Sequence, residues 1–143
     1  MKIKTHSEKE TFELGKRIAN AAKPGTVILF YGDLGAGKTV MTKGIAAGLG
    51  ITDMITSPTF TIMQEYDGGR MPLYHLDVYR IEDPDEMEEV GLDEYIYGKG
   101  ITVIEWAEQI EDILPKDAVK ITIERGVTSP DEREICIEGD IEL

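Results

Sequence analysis

Cysteine is almost missing from this sequence. Cys136 stands alone among 143 residues and has no partner for an intrachain disulfide. A chain of this length can bury a core without disulfides or a structural metal, so none is needed. With no signal-peptide pattern at the start either, a reducing cytoplasm is the expected home. Long apolar runs are missing too. No stretch approaches the roughly 20 residues that cross a bilayer, so no membrane role is expected. Positive charge is scarce: 15 basic residues against 28 acidic ones leave a net charge of −13. Such a surface repels bare nucleic acid, because phosphate contacts need Lys and Arg. Any RNA-linked role then has to run through a more basic partner. A nucleotide is a different matter, since converging N–H groups and one lysine outweigh the global field at contact distance. Repeats, low-complexity tracts and linkers are also absent, so residues 1–143 read as one unit.

What is present reads as strands alternating with helices. Residues 1–5 are compatible with a short first strand. Ser7-Glu8-Lys9-Glu10 has capping-box spacing, and Leu14, Ile18 and Ala22 then recur on one helix face until Pro24-Gly25 stops the helix. The run TVILFY, residues 26–31, predicts a strand buried on both sides. Glycines crowd the next eight positions, and a helix is predicted from about Lys38 to Leu49. Strands are expected near 60–66 and 73–79, joined through Asp67-Gly68-Gly69. In the second, Tyr74, Leu76 and Val78 should face a core, with His75, Asp77 and Tyr79 on an opposite polar face. Asp83-Pro84 opens another helix and Gly91 stops it. Ile101 to Ile104 form a buried strand ending in Glu105. Strands at 119–124 and 133–138 are expected as a hairpin at the sheet edge. The sum is a mixed α/β sheet.

Residues 32–39, Gly32-Asp33-Leu34-Gly35-Ala36-Gly37-Lys38-Thr39, match G-x-x-x-x-G-K-[ST] at every fixed position, between a buried strand and a helix. The glycines permit left-handed backbone that turns successive N–H groups toward a phosphate, and the helix start adds its positive dipole end. Lys38 would reach the β- and γ-phosphates, and the Thr39 hydroxyl would take Mg²⁺. The expected ligand is therefore ATP with Mg²⁺. The expected fold is a single three-layer P-loop NTPase domain over 1–143, with a mixed, mainly parallel central sheet and edge hairpin strands. Glu105 ends a buried strand, where ligands bind in open α/β sheets, and fits a Mg²⁺ ligand. His75 and Asp77 are open to two readings. They can act on a γ-phosphate or its attacking water, or be a satisfied half-buried histidine and a capping aspartate. Arg80 fits a phosphate contact or a surface ion pair. Ser57-Pro58-Thr59-Phe60 reads as a γ-phosphate-sensing loop or a Pro-bearing turn. Residues 82–94 hold eight acids in thirteen, which is a solvated helix face or a dock for a basic partner. Trp106 is either core or a residue packed against a moving switch.

The segments GDLGAGKT (32–39), SPTF (57–60), HLDVYR (75–80) and Glu105-Trp106, in this order and spacing, resemble the TsaE family, also called YjeE. The resemblance runs from about Ser7 to about Arg133. It implies a small bacterial ATPase needed to make threonylcarbamoyladenosine next to the anticodon of tRNA, acting with TsaD and TsaB, which carry out the transfer. It also implies that residues 35–40, ending in Val40, hold phosphate and that Thr39 and Glu105 bind Mg²⁺. SPTF and HLDVYR would be the two switches, and Asp77 the important acid. Glu8 would lie near the adenine, with Arg133 as a late basic contact. The expected catalytic set is Lys38, Asp77, His75 and Glu105. Contact with tRNA is expected only through the complex.

Two other functions fit parts of the pattern. A small-molecule kinase needs a cationic lid, which five scattered arginines make hard to assemble. A non-hydrolysing switch would use ATP binding alone to drive docking. A GTPase is disfavoured because no N-K-x-D segment is present.

Overall fold

The computed structural model describes residues 1–32, 36–56, 63–79, 81, 83, 85–87, 91–96 and 98–143. Among the described residues seven strands make one sheet in the order β1-β7-β6-β2-β5-β4-β3. They are β1 (Lys2–Thr5), β2 (Val27–Gly32), β3 (Met63–Tyr66), β4 (Leu73–Asp77), β5 (Ile101–Glu105), β6 (Val119–Arg125) and β7 (Arg133–Glu138). The centre is parallel: β2 pairs with β5 and β6, and β4 with β5. The flanks are antiparallel: β3 on β4, β7 on β6, and β1 on β7.

The apolar run of β2 explains its central place. Ile28 and Phe30 pack into the core under helices α1 (Glu8–Ala21) and α2 (Lys38–Gly48), beside Leu14, Ile18, Met41 and Ile45. Val27 and Leu29 pack on the other face with Tyr74, Leu76 and Val78, against Met87, the short helix α3 (Leu92–Ile96), Ala107 and Ile110. A strand with helices above and covering segments below has no solvent face, hence the unbroken apolar stretch. The α1–α2 contact is close because it is lined by glycine. A Cβ on Gly44 would stand 2.1 Å from the Phe12 carbonyl oxygen, and one on Gly15 would stand 2.4 Å from that of Met41.

Ser7 caps α1 as its spacing predicts, its hydroxyl accepting from the Glu10 N–H at 3.1 Å. Three expectations need correction. The hairpin β6–β7 is not the sheet edge, because β1 pairs along β7 and takes that position. The face of β4 that carries His75 and Asp77 is not open: it turns to the α2 layer, where Leu73 and His75 are fully buried. The expected strand 73–79 ends at Asp77. Gly91, with φ +79°, is followed by α3, which the reading from sequence did not foresee. Asp83 accepts from the Asp85 N–H at 3.0 Å, as a helix-start residue does, but Pro84 and much of 82–90 lie outside the described residues. So does the start of the strand expected at residue 60.

Candidate functional site

The parallel strands β2, β5 and β4 end side by side, and the candidate site lies at their C-terminal ends. Strand β2 runs out at Gly32, whose φ of +124° suits only glycine, and a Cβ there would stand 2.1 Å from the Ile123 carbonyl oxygen. Asp33, Leu34 and Gly35 lie outside the described residues, as do Ser57 to Phe60 and Arg80. Ala36 is buried, and Gly37 is the left-handed N-cap of α2, with φ +113°. Gly37 has no side chain to cap the first turn, so the positive end of α2 is left open to an anion. Thr39 and Val40 follow, half-buried, in that turn.

Lys38 is buried, an unusual state for an ammonium. Its Nζ donates to the Gly32 carbonyl at 3.2 Å and sits 5.0 Å from the centroid of the Trp106 ring. From the far side of the loop, Arg133 Nε donates to the Ala36 carbonyl at 2.8 Å. Arg133 Nη1 donates to the carbonyls of Pro130 and Glu132 at 2.6 and 2.9 Å. A Cβ on Gly37 would lie 3.9 Å from both Arg133 Nε and Thr11 Cγ2, so the start of α1 and the last hairpin meet at this glycine. Glu8 is exposed one turn before Thr11 on α1.

The acidic side of the site comes from β4 and β5. Their register sets Asp77 opposite Glu105 and His75 opposite Val103. Alternation then puts His75, Asp77 and Glu105 on the face that looks toward α2. Glu105 is buried, and His75 Nε2 lies 2.7 Å from its Oε2. His75 therefore addresses Glu105, and its ring is fully enclosed. Asp77 accepts from the Tyr79 N–H at 3.0 Å. Partial burial raises the Asp77 carboxyl above the usual carboxylate range. The Tyr79 N–H opposes that rise, the Glu105 charge adds to it, and His75 and Lys38 pull it back.

Two details go beyond the sequence reading, which left Trp106 as core or as packed against a switch and did not consider Tyr31. Trp106 is the only non-glycine residue with positive φ among those described, at +63°. That left-handed kink after β5 turns its ring back against Lys38 and against Tyr79, whose ring centroid is 4.8 Å away. The second is Tyr31, just before the glycine loop, whose hydroxyl donates to Glu111 Oε1 at 2.5 Å. It ties β2 to the 3-10 turns that follow Trp106. The adjacency of Glu105 and Trp106 was the only sequence signal for the first, and the second left none.

The family model "Threonylcarbamoyl adenosine biosynthesis protein TsaE" matches residues 5–135. The chain is 53% identical to the tRNA threonylcarbamoyladenosine biosynthesis protein TsaE of Bacillus subtilis, covering 94% of this chain and 83% of that one. It is 39% identical to the protein of the same name from Treponema pallidum, over 96% and 99% of the two chains. The crystal structure of Bacillus subtilis YdiB matches with a TM-score of 0.81 and 47% identity, over 94% of this chain and 82% of that one. With a match over nearly its whole length and a sheet that follows that solved structure, the chain belongs to the TsaE family.

Proposed function

We propose that this protein binds ATP with Mg²⁺ and hydrolyses it in the service of tRNA threonylcarbamoyladenosine formation, in a complex with TsaD and TsaB. The observation that carries the reading is the meeting of three things at one sheet end. An uncapped helix start, a buried lysine and a pair of adjacent carboxylates converge there. Each is costly unless a ligand uses it.

The glycine curl and the N-terminus of α2 would take the phosphates, and Lys38 would exchange its bond to the Gly32 carbonyl for the stronger charge-assisted bond to a phosphoryl oxygen. Thr39 and Glu105 offer hard oxygen donors and fit Mg²⁺. Among the described residues no three His, Cys, Asp or Glu side chains group to hold a metal by themselves. That fits a cation held by few protein oxygens together with phosphate and water. When bound, Mg²⁺ supplies neutralisation of the charge on the transferring phosphoryl group. Asp77, with its raised pKa, suits a group that orients the attacking water and takes its proton as ADP departs with the bridging oxygen. Arg133, bonded to the Ala36 carbonyl, and Glu8, at the start of α1, would contact the nucleoside end.

The acidic surface argues that tRNA is met through TsaD and TsaB and not directly. No helix among the described residues is long and apolar enough to cross a membrane. The deciding experiment measures ATP turnover by the protein alone, then with TsaD–TsaB, then with tRNA added. Turnover that rises with the partners and disappears in Lys38→Ala is the expected result. Binding without turnover in any mixture would defeat the hydrolytic reading.

A further inference from the structure

His75 is the one residue of the acidic cluster that cannot meet a ligand directly. It is fully buried between β3 and β5, paired in register with Gln64 on one side and Val103 on the other. Its Nε2 lies 2.7 Å from Glu105 Oε2, while its buried Nδ1 has no hydrogen-bond partner among the described residues. A carboxylate that binds a cation is ionised and can only accept, so Nε2 then carries the proton. The ring's Nε2–H is thereby aimed at Glu105.

We propose that His75 is a positioning residue for the metal site: its Nε2–H fixes one carboxylate oxygen of Glu105 and leaves Oε1 as the oxygen that takes the cation or its water. This rests on the reading of Glu105 as a Mg²⁺ ligand. A glutamate at a strand end has three side-chain torsions, and burial alone does not choose among their rotamers. The neighbouring Asp77 carboxylate would repel Glu105 toward other rotamers. A single short hydrogen bond from a wholly enclosed ring removes that freedom before any ligand arrives. His75 also separates the two acids, since it holds Glu105 while Asp77 takes its hydrogen bond from the Tyr79 N–H. The pair is thereby divided into one fixed carboxylate and one facing the reacting groups. Groups that hold metal ligands in this way typically matter about 10- to 100-fold for metal affinity.

The test uses the geometry of amides. The side-chain nitrogen of glutamine can stand where His75 Nε2 is, whereas that of asparagine corresponds to Nδ1. Nucleotide affinity is measured by calorimetry with a non-hydrolysable ATP analogue, in Mg²⁺ and in EDTA, for the wild type and for His75→Gln, His75→Asn and His75→Leu. The ratio of the two affinities is expected to fall about 10- to 100-fold in the Asn and Leu variants and to stay near the wild-type value in His75→Gln. Affinity in EDTA should hardly change in any of them. Long-range nitrogen–proton NMR of the wild type should show His75 protonated at Nε2. A ring bare at Nε2 would overturn the inference even if no variant folds. So would an unchanged ratio in His75→Leu, or a loss in His75→Gln as large as in His75→Leu. A wild-type ratio of one would instead remove the Mg²⁺ reading itself, and this inference with it.

Discussion

The ammonium of Lys38 rests 5.0 Å from the ring centroid of Trp106 while donating to the Gly32 carbonyl, so one cation joins the glycine loop to the residue after Glu105. Trp106 is the only tryptophan in the chain. A lysine drawn onto phosphate would leave that position, and the indole's surroundings would change. Intrinsic emission should therefore shift when ATP and Mg²⁺ are added, and should stay constant in Lys38→Ala. Identical responses in the two proteins would detach the tryptophan from the phosphate site.

Thermal stability gives a second measure of the same lysine. A ligand at about 100 times its dissociation constant adds roughly 2.7 kcal/mol to a folded protein, or several degrees for a domain of this size. ATP with Mg²⁺ should raise the melting temperature of the wild type by that order. Lys38→Ala should lose most of the rise. An equal rise in both would place the phosphates elsewhere.

Asp77 predicts a conflict between stability and activity. Its pKa is raised in the folded state, so the fold prefers the protonated carboxyl and the charged form costs stability. That cost is absent below the ordinary carboxylate range, at about pH 3.9, and grows as pH rises to the folded value. Asp77→Asn keeps an oxygen for the Tyr79 N–H, so it should melt higher than the wild type at pH 7 and show no advantage near pH 3.5. Its ATP turnover should drop much further than its ATP affinity. A melting difference that grows on acidification would reverse the sign of the argument.

The glycine-lined contact between α1 and α2 holds the N-terminal end of α2 against the start of α1. Gly44→Ala places a methyl group 2.1 Å from a backbone oxygen, which no side-chain rotation relieves. Overpacking of this kind costs roughly 1–3 kcal/mol. Denaturant unfolding should show a lowered midpoint with little change in slope. A neutral substitution would mean that the helices can part without penalty.

Partner binding is expected to be electrostatic at its rim. With a net charge of −13, the isolated protein should bind tRNA weakly. Its complex with TsaD–TsaB should weaken with added salt, because such charges are screened over about 8 Å at physiological ionic strength. Pull-downs in ATP, in ADP and without nucleotide should differ in yield. Tight tRNA binding by the protein alone would count against an indirect route.

How much of this was readable beforehand depends on the range over which each feature is encoded. Local signals served well: the Ser7 cap, the apolar run before Gly32 and the strand ending in Glu105 each follow from a few adjacent residues. The pairing of β1 with β7 joins residues 2 and 136, and no local pattern carries that information. The full burial of His75 was not foreseen, for a related reason. Alternation correctly separated it from Tyr74 and Leu76, but it does not tell whether the second face meets water or another layer. The left-handed Trp106 was invisible because a bulky residue there runs against local preference, and only tertiary packing holds it. Segments 33–35, 57–62 and residue 80 lie outside the described structure, so the expectations for Asp33 to Gly35, the SPTF loop and Arg80 rest on sequence and resemblance.

The seam between β1 and β7 also bears on how the chain comes to be folded. A strand made at the outset finds its hydrogen-bonding neighbour only in residues 133–136. During synthesis the central pairs of β2, β4 and β5 can assemble while this first segment waits, its backbone donors and acceptors unmatched. Closing so long a loop is slow, and an unmatched strand is a site for pairing with the wrong chain. Lys2 and Lys4 lie within that waiting strand, and charge of this kind discourages a stray neighbour until β7 emerges.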